Sequence, residues 1–130
     1  MELLFVYGTL LSEYAHEMNA VMARNGRLLG KATFHGKLYR ISHYPGVVSS
    51  DHHSDQVHGE VYELLDANAT FYYLDDYEGY WLNNEADSDY LRRKVTVKLA
   101  DGSLQSVWTY LYNLPIEGLD RIESGDFLKG

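Results

Sequence analysis

Apolar and polar residues change rhythm several times along this chain. The stretch Glu2-Leu3-Leu4-Phe5-Val6-Tyr7-Gly8-Thr9-Leu10 opens as a nearly continuous apolar run and stops at a Gly-Thr step. That predicts a buried strand over 2–7 followed by a tight turn. From Leu11 to about Arg24 the period lengthens, with Tyr14, Met18, Val21 and Met22 three or four residues apart. This predicts an amphipathic helix, with Ser12 as its N-cap, Glu13 in its first turn and Asn25-Gly26 as its stop. Residues 28–41 return to strand-like alternation, and Gly30 and Gly36 mark bends or bulges. Tyr44-Pro45-Gly46 is a turn signal, Val47-Val48 a short strand, and Ser49 to Gln56 a polar loop.

The run Val57 to Leu64 alternates with a period of two. Val57, Gly59, Val61 and Glu63 share one face, and His58, Glu60, Tyr62 and Leu64 share the other. Glu60 is therefore either buried beside Tyr62 and Leu64 or turned to solvent at a sheet edge. Asp66 to Tyr80 is helical, with Phe71, Leu74, Tyr77 and Glu78 on one face, Asp66 or Asn68 as cap and Gly79 as terminator. Tyr90–Leu99 and Ser106–Tyr112 form a hairpin around Asp101-Gly102, and the tail from Arg121 ends in a turn at Ser124-Gly125-Asp126. The order β-α-β-β-α-β-β predicts one α+β domain over residues 1–130. Its sheet is mixed or largely antiparallel, is flanked by helices and can curl into a small barrel.

Composition narrows the partners. The 130 residues carry a net charge of −8, which opposes binding to a phosphate backbone. The one tight basic cluster, Arg92-Arg93-Lys94, is too short to line a nucleic-acid groove. The absence of cysteine excludes thiolate nucleophiles, disulfides and cysteine metal sites. No apolar run is long enough to span a membrane, and the start does not resemble a signal peptide, so the expected location is the cytoplasm. No Gly-rich dinucleotide fingerprint or Walker-type loop is present, and no cofactor is expected. The sequence leaves the oligomeric state undetermined. Twelve tyrosines suit both sheet structure and a pocket for a small polar ligand.

Three features are candidates for chemistry. The turn at Gly8 is expected to reach backbone angles closed to other residues, and its successive N–H groups can cradle an anion. Glu78 is a carboxylate on an apolar helix face at the helix C-terminus. Burial and the negative end of the helix dipole both raise its pKa toward the range a general acid/base needs. The histidines and aspartates of Asp51-His52-His53-Ser54-Asp55 with His58 are metal-ligating types, but their spacing matches no ligand pattern, and a solvated loop with no metal is expected. Arg40 is read as a solvated strand residue.

Phe5-Val6-Tyr7-Gly8-Thr9-Leu10 together with Leu74-Asp75-Asp76-Tyr77-Glu78-Gly79-Tyr80 resembles the γ-glutamylcyclotransferase-like, or AIG2-like, family, of the γ-glutamylamine cyclotransferase type. Tyr90 with Arg92-Arg93-Lys94-Val95, Trp108-Thr109-Tyr110 and Ile122-Glu123-Ser124-Gly125-Asp126-Phe127 resembles the family's C-terminal half. The resemblance implies a small barrel with a pocket at its mouth. It implies a reaction in which the α-amine of a γ-glutamyl group attacks its own γ-carbonyl, releasing 5-oxoproline and an amine or amino acid. Glu78 is then the catalytic acid/base, and the Tyr7, Gly8, Thr9 and Leu10 turn binds substrate, holding either its α-carboxylate or the oxyanion. Tyr110 is a candidate hydroxyl donor to substrate by its place on its strand. The family often carries a proline soon after the Glu-Gly-Tyr segment. Here Trp81-Leu82-Asn83-Asn84 and the acidic Glu85-Ala86-Asp87-Ser88-Asp89 follow, a loop suited to attracting cationic amines. The alternative is a non-catalytic module that binds a γ-glutamyl-like acid.

Overall fold

The computed structural model describes residues 2–8, 24–42 and 44–129. The helix expected over Leu11–Arg24 lies almost wholly outside the described residues. The described strands are β1 (Leu3–Val6), β2 (Gly26–Arg40), β3 (Pro45–Ser49), β4 (Gln56–Leu64), β5 (Tyr90–Leu99), β6 (Leu104–Tyr112) and β7 (Asp120–Arg121). One α-helix, α1 (Ala67–Glu78), and a short 3-10 turn at Glu85–Asp87 lie between β4 and β5.

β1 lies between two strands distant in sequence. It runs antiparallel to β4, from Leu3 opposite Glu63 to Val6 opposite Glu60, and parallel to β6, with Leu4 opposite Trp108. β4 pairs along its other edge with β2, and β6 pairs with β5 as a hairpin. β2 then meets β5 at Ala32–Leu99 and Thr33–Lys98. The circuit β2-β4-β1-β6-β5 is thereby closed into a five-strand mixed barrel, which leaves these strands few free edges. β3 and β7 flank the far end of β2.

Alternation along β1 divides the core. Phe5 and Tyr7 join Phe34, Val57, Val61 and Val107 in one cluster. Leu4 and Val6 join Tyr62, Leu64, Phe71, Leu74 and Tyr110 in a second, beneath α1. Each fully buried Leu, Val or Phe here contributes about 1.5–3 kcal/mol relative to exposure. Because β4 is interior, Glu60 is not at an edge and is buried at 6% exposure.

Several expectations are sharpened. Gly30 lies at a register shift between β2 and β4, whereas Gly36 sits in regular pairing with Ser49. The Val47-Val48 strand extends back to Pro45, where a missing N–H is tolerated at a strand start. The two-residue β7 lacks an apolar run and was not expected; its backbone pairs with Tyr39 and Arg40.

Candidate active site

Glu78 closes the last turn of α1. Asp66 starts that helix by accepting from the Ala69 N–H at 3.1 Å, and Phe71 and Leu74 fasten it to the barrel. Gly79 ends it at φ 71°, with its N–H donating to the Asp76 carbonyl and the Tyr80 N–H to the Asp75 carbonyl. A left-handed residue here turns the chain away directly after Glu78 and leaves the carboxylate at the helix end.

Two cavities meet at that carboxylate. The inner one, about 30 Å³, lies where the two core clusters join, and Tyr7, Gly8, Pro45, Glu78, Tyr90 and Tyr110 are among its walls. The outer one, about 340 Å³, is bounded by Asp76, Tyr77, Gly79 and Asp89. Tyr44, Glu78 and Tyr90 line both. Among the described residues Glu78 has no hydrogen-bond or ion-pair partner, and burial lifts its pKa from 4.5 to about 8. The helix C-terminus acts in the same direction.

The pocket tyrosines are held by their hydroxyls. Tyr7 donates to the Tyr110 carbonyl at 2.5 Å, Tyr90 to the Pro45 carbonyl at 2.6 Å, and Tyr110 to Asp75 Oδ1 at 2.6 Å. Carbonyls and carboxylates only accept, so each hydroxyl proton is committed and only lone pairs remain for a ligand, with the Val47 N–H already directed at the Tyr7 oxygen. Burial raises the pKa of all three, with the charge of Glu78 adding to it, so they stay protonated. Asp75 is itself gripped by Arg92 at 2.9 and 3.3 Å, and the Arg92 guanidinium lies 4.0 Å from the Phe71 ring centre and 4.9 Å from that of Trp108. This chain of contacts ties the helix turn that carries Glu78 to the β5–β6 hairpin.

The structure brings Glu78, Tyr7, Gly8 and Tyr110 into one cavity; Thr9 and Leu10 lie outside the described residues. Two expectations change. Tyr110 lines the cavity but is not a free hydroxyl donor, because its proton goes to Asp75. Gly8 does not adopt a positive φ. Glycine is needed there because a Cβ would come within 2.6 Å of the Pro45 ring. Tyr44, Pro45 and Tyr90 were missed: the first two sit in a turn signal, and Tyr90 precedes a charged run that hides its inward face.

The acidic loop is also redistributed. Glu85 is bound by Arg93 at 2.8 and 2.9 Å and by the Tyr80 hydroxyl at 2.7 Å, which holds its pKa at about 2. Asp87 accepts from Asn84 at 3.0 Å, and of the loop's three acids only Asp89 reaches the outer cavity. In the His52-His53 loop, Asp55 is taken by Ser50 at 2.6 Å and Arg121 at 2.8 Å, and no three metal-ligating side chains converge among the described residues. Arg40 is exposed, over the Phe127 ring and away from both cavities.

A closed five-strand barrel carrying one described helix is the fold of γ-glutamylcyclotransferase-like proteins. The structure superposes on an AIG2-like protein from Mus musculus with a TM-score of 0.70 at 19% identity, covering 95% of this chain and 86% of that one. The sequence profile of the family "Gamma-glutamyl cyclotransferase, AIG2-like" matches residues 4–129, and the chain belongs to that family. It is 34% identical over 126 residues to the γ-glutamylcyclotransferase family protein YtfP of Escherichia coli K12, covering 96% of this chain and 95% of the relative. The solution structure of ytfP from Escherichia coli matches with a TM-score of 0.67 at 35% identity, covering 97% of this chain and 96% of that one. Among the described residues no helix is long and apolar enough to cross a membrane.

Proposed function

We propose that the protein is a γ-glutamyl cyclotransferase that releases an amine or amino acid together with 5-oxoproline, with Glu78 as general acid/base. The observation that carries this reading is the Glu78 carboxylate. It has no partner among the described residues, lines a cavity in a family of cyclotransferases, and has a pKa of about 8.

The chemistry asks for little else. The nucleophile is the substrate's own α-nitrogen, so an enzyme nucleophile is unnecessary and close positioning supplies much of the rate. Glu78 takes a proton from the α-ammonium, and the freed amine attacks the γ-carbonyl. The C–N bond to the leaving group then breaks. Two protons leave the α-nitrogen as it becomes the lactam N–H, and two reach the leaving nitrogen as it departs as an ammonium. A single carboxyl with a pKa near 8 can carry both in turn. The lone pairs of the Tyr7, Tyr90 and Tyr110 hydroxyls suit them to accept from the α-ammonium. Oxyanion stabilisation falls to backbone donors, of which the Gly8 N–H is the described candidate.

The test is 5-oxoproline release from a panel of γ-glutamyl amines and γ-glutamyl amino acids, with wild type beside Glu78→Gln. Turnover by wild type, reduced by about 10²–10⁴ in the variant, is expected. Equal ligand binding by both proteins with no turnover by either would replace this reading with a binding module.

A further inference from the structure

The three cations of Arg92-Arg93-Lys94 go to three different acids. Arg93 meets Glu85 at 2.8 Å and Lys94 approaches Glu2 at 3.8 Å, with side chains 41% and 44% exposed. Arg92 is 16% exposed and grips Asp75 with both Nε and Nη2. Strand register sets Arg92 directly opposite Tyr110, and Asp75 Oδ1 accepts from both, at 2.9 Å from Arg92 Nε and 2.6 Å from the Tyr110 hydroxyl. The rings of Phe71, Trp108 and Tyr80 lie around the guanidinium, their centres 4.0, 4.9 and 5.7 Å away. A planar fork that is bidentate on a carboxylate and lies over rings is a geometry that lysine does not supply.

Desolvation offsets most of the attraction within a shielded ion pair, so stability alone is a weak reason for this one. Its location supplies a better reason. Asp75 is three residues before Glu78 on α1, a spacing that brings side chains onto one face with Cβ atoms about 5–6 Å apart. Tyr110, which Asp75 also binds, lines the inner cavity with Glu78. An uncompensated Asp75 carboxylate would oppose ionisation of Glu78. The groups that share the two cavities with Glu78 offer no cation to offset it. They are Tyr7, Tyr44, Tyr77, Tyr90 and Tyr110 and the carboxylates Asp76 and Asp89, and no lysine or arginine is among the described walls of either cavity. Arg92 reaches the same helix turn from outside those cavities. We propose that Arg92 is a positioning residue for Glu78: it holds Asp75 as the acceptor of the Tyr110 proton and cancels the charge of Asp75 one helical turn before the reacting carboxylate. This rests on cyclisation at Glu78. Arg92 itself touches no substrate and acts through Asp75.

The experiment follows the titration of the Glu78 carboxyl by carbon NMR in glutamate-labelled protein, with Glu78→Gln identifying the signal, beside the pH profile of 5-oxoproline release. Arg92→Met keeps an apolar stem without the charge, and the inflection is expected to rise by roughly one pH unit. Asp75→Asn leaves the Arg92 charge uncompensated instead, and the inflection is expected to fall by a similar amount. The double variant removes both charges and is expected to return to the wild-type inflection. Shifts of opposite sign that cancel separate this role from a structural one, because loosened packing would move both single variants the same way. Arg92→Lys keeps the charge without the fork. It is expected to leave the inflection in place and to cut kcat by roughly tenfold as the Tyr110 hydroxyl loses its fixed direction. Single variants that leave the inflection unmoved, or move it in the same direction, overturn the proposal, as does an undiminished kcat in Arg92→Lys. If Arg92→Met fails to fold, the sign of the Asp75→Asn shift decides. If wild type cyclises no γ-glutamyl compound, the reaction falls, while opposite shifts in the NMR titration uphold the action of Arg92 on Glu78 and unmoved ones overturn it.

Discussion

Replacing Glu78 with Gln should make the protein more stable while disabling it, and the gain should depend on pH in a defined way. The folded pKa is about 8 against an ordinary 4.5. Below pH 4.5 the carboxyl is protonated in both folded and unfolded chains and costs nothing. Between 4.5 and 8 the unfolded chain releases the proton and the folded one keeps it, so stability declines as pH rises. Above 8 both states are ionised and the loss is constant. At about 1.4 kcal/mol per pH unit the ceiling is about 5 kcal/mol, with about 3 kcal/mol felt at pH 7 and about 1 kcal/mol at pH 5. Glutamine is isosteric and cannot ionise, so the variant escapes this decline. For a domain of this size, 3 kcal/mol is about 10 °C in Tm. Urea or thermal melts of both proteins from pH 4.5 to 9 read this directly. The curves should lie together at the acid end and separate as pH rises. Parallel curves across the whole range would refute the claim that the carboxylate of the half-buried Glu78 is desolvated without compensation.

The same pKa sets the activity profile: kcat/KM for 5-oxoproline release should rise with pH, pass half its maximum near pH 8 and level about one pH unit higher as the carboxylate form of Glu78 accumulates, and a flat profile from 6 to 9 would remove Glu78 as the base. Asp75→Asn should weaken the grip of Arg92 and of the Tyr110 hydroxyl, costing about 1–3 kcal/mol in urea melts and lowering kcat through the helix turn that bears Glu78. Gly8→Ala forces a methyl within 2.6 Å of the Pro45 ring, and should cost about 1–3 kcal/mol in the same melts while loosening the cavity floor.

How much of this was legible in the sequence depended on whether the signal was local. Asp66, Phe71, Leu74, Glu78 and Gly79 lie within fourteen consecutive positions, so cap, stripe, carboxylate and stop could be read together, and α1 has those bounds. The β5–β6 hairpin was readable from Asp101-Gly102 for the same reason. The rest of the cavity is assembled over long distances. The Pro45 carbonyl holds Tyr90, 45 residues away, and Asp75 holds Tyr110, 35 residues away. No periodicity encodes such pairs. Gly8 was identified as special, but the reason was wrong: glycine suggests an unusual backbone angle, whereas here the constraint is the neighbouring Pro45 ring. The acidic loop misled because charge counted along the chain ignores pairing, and Arg93 removes Glu85 from the count.

The position of β1 bears on how the molecule is made. Of the described strands it is synthesised first, yet its neighbours are β4 and β6, and the bond from the Tyr7 hydroxyl to the Tyr110 carbonyl spans 103 residues. During translation β1 has no strand to join until β4 emerges, and its parallel edge waits for β6. Such long-range closure slows folding, and it leaves an apolar strand with open edges in the interval. The reactive centre is accordingly a late product of folding: Tyr7 and Gly8 leave the ribosome early but reach Glu78 and Tyr110 only once β6 has docked. A chain stalled or cut before β6 has the carboxylate and the turn but no pocket between them. Pulse proteolysis of ribosome-bound chains of increasing length should show protection of β1 appearing only after β6 is exposed.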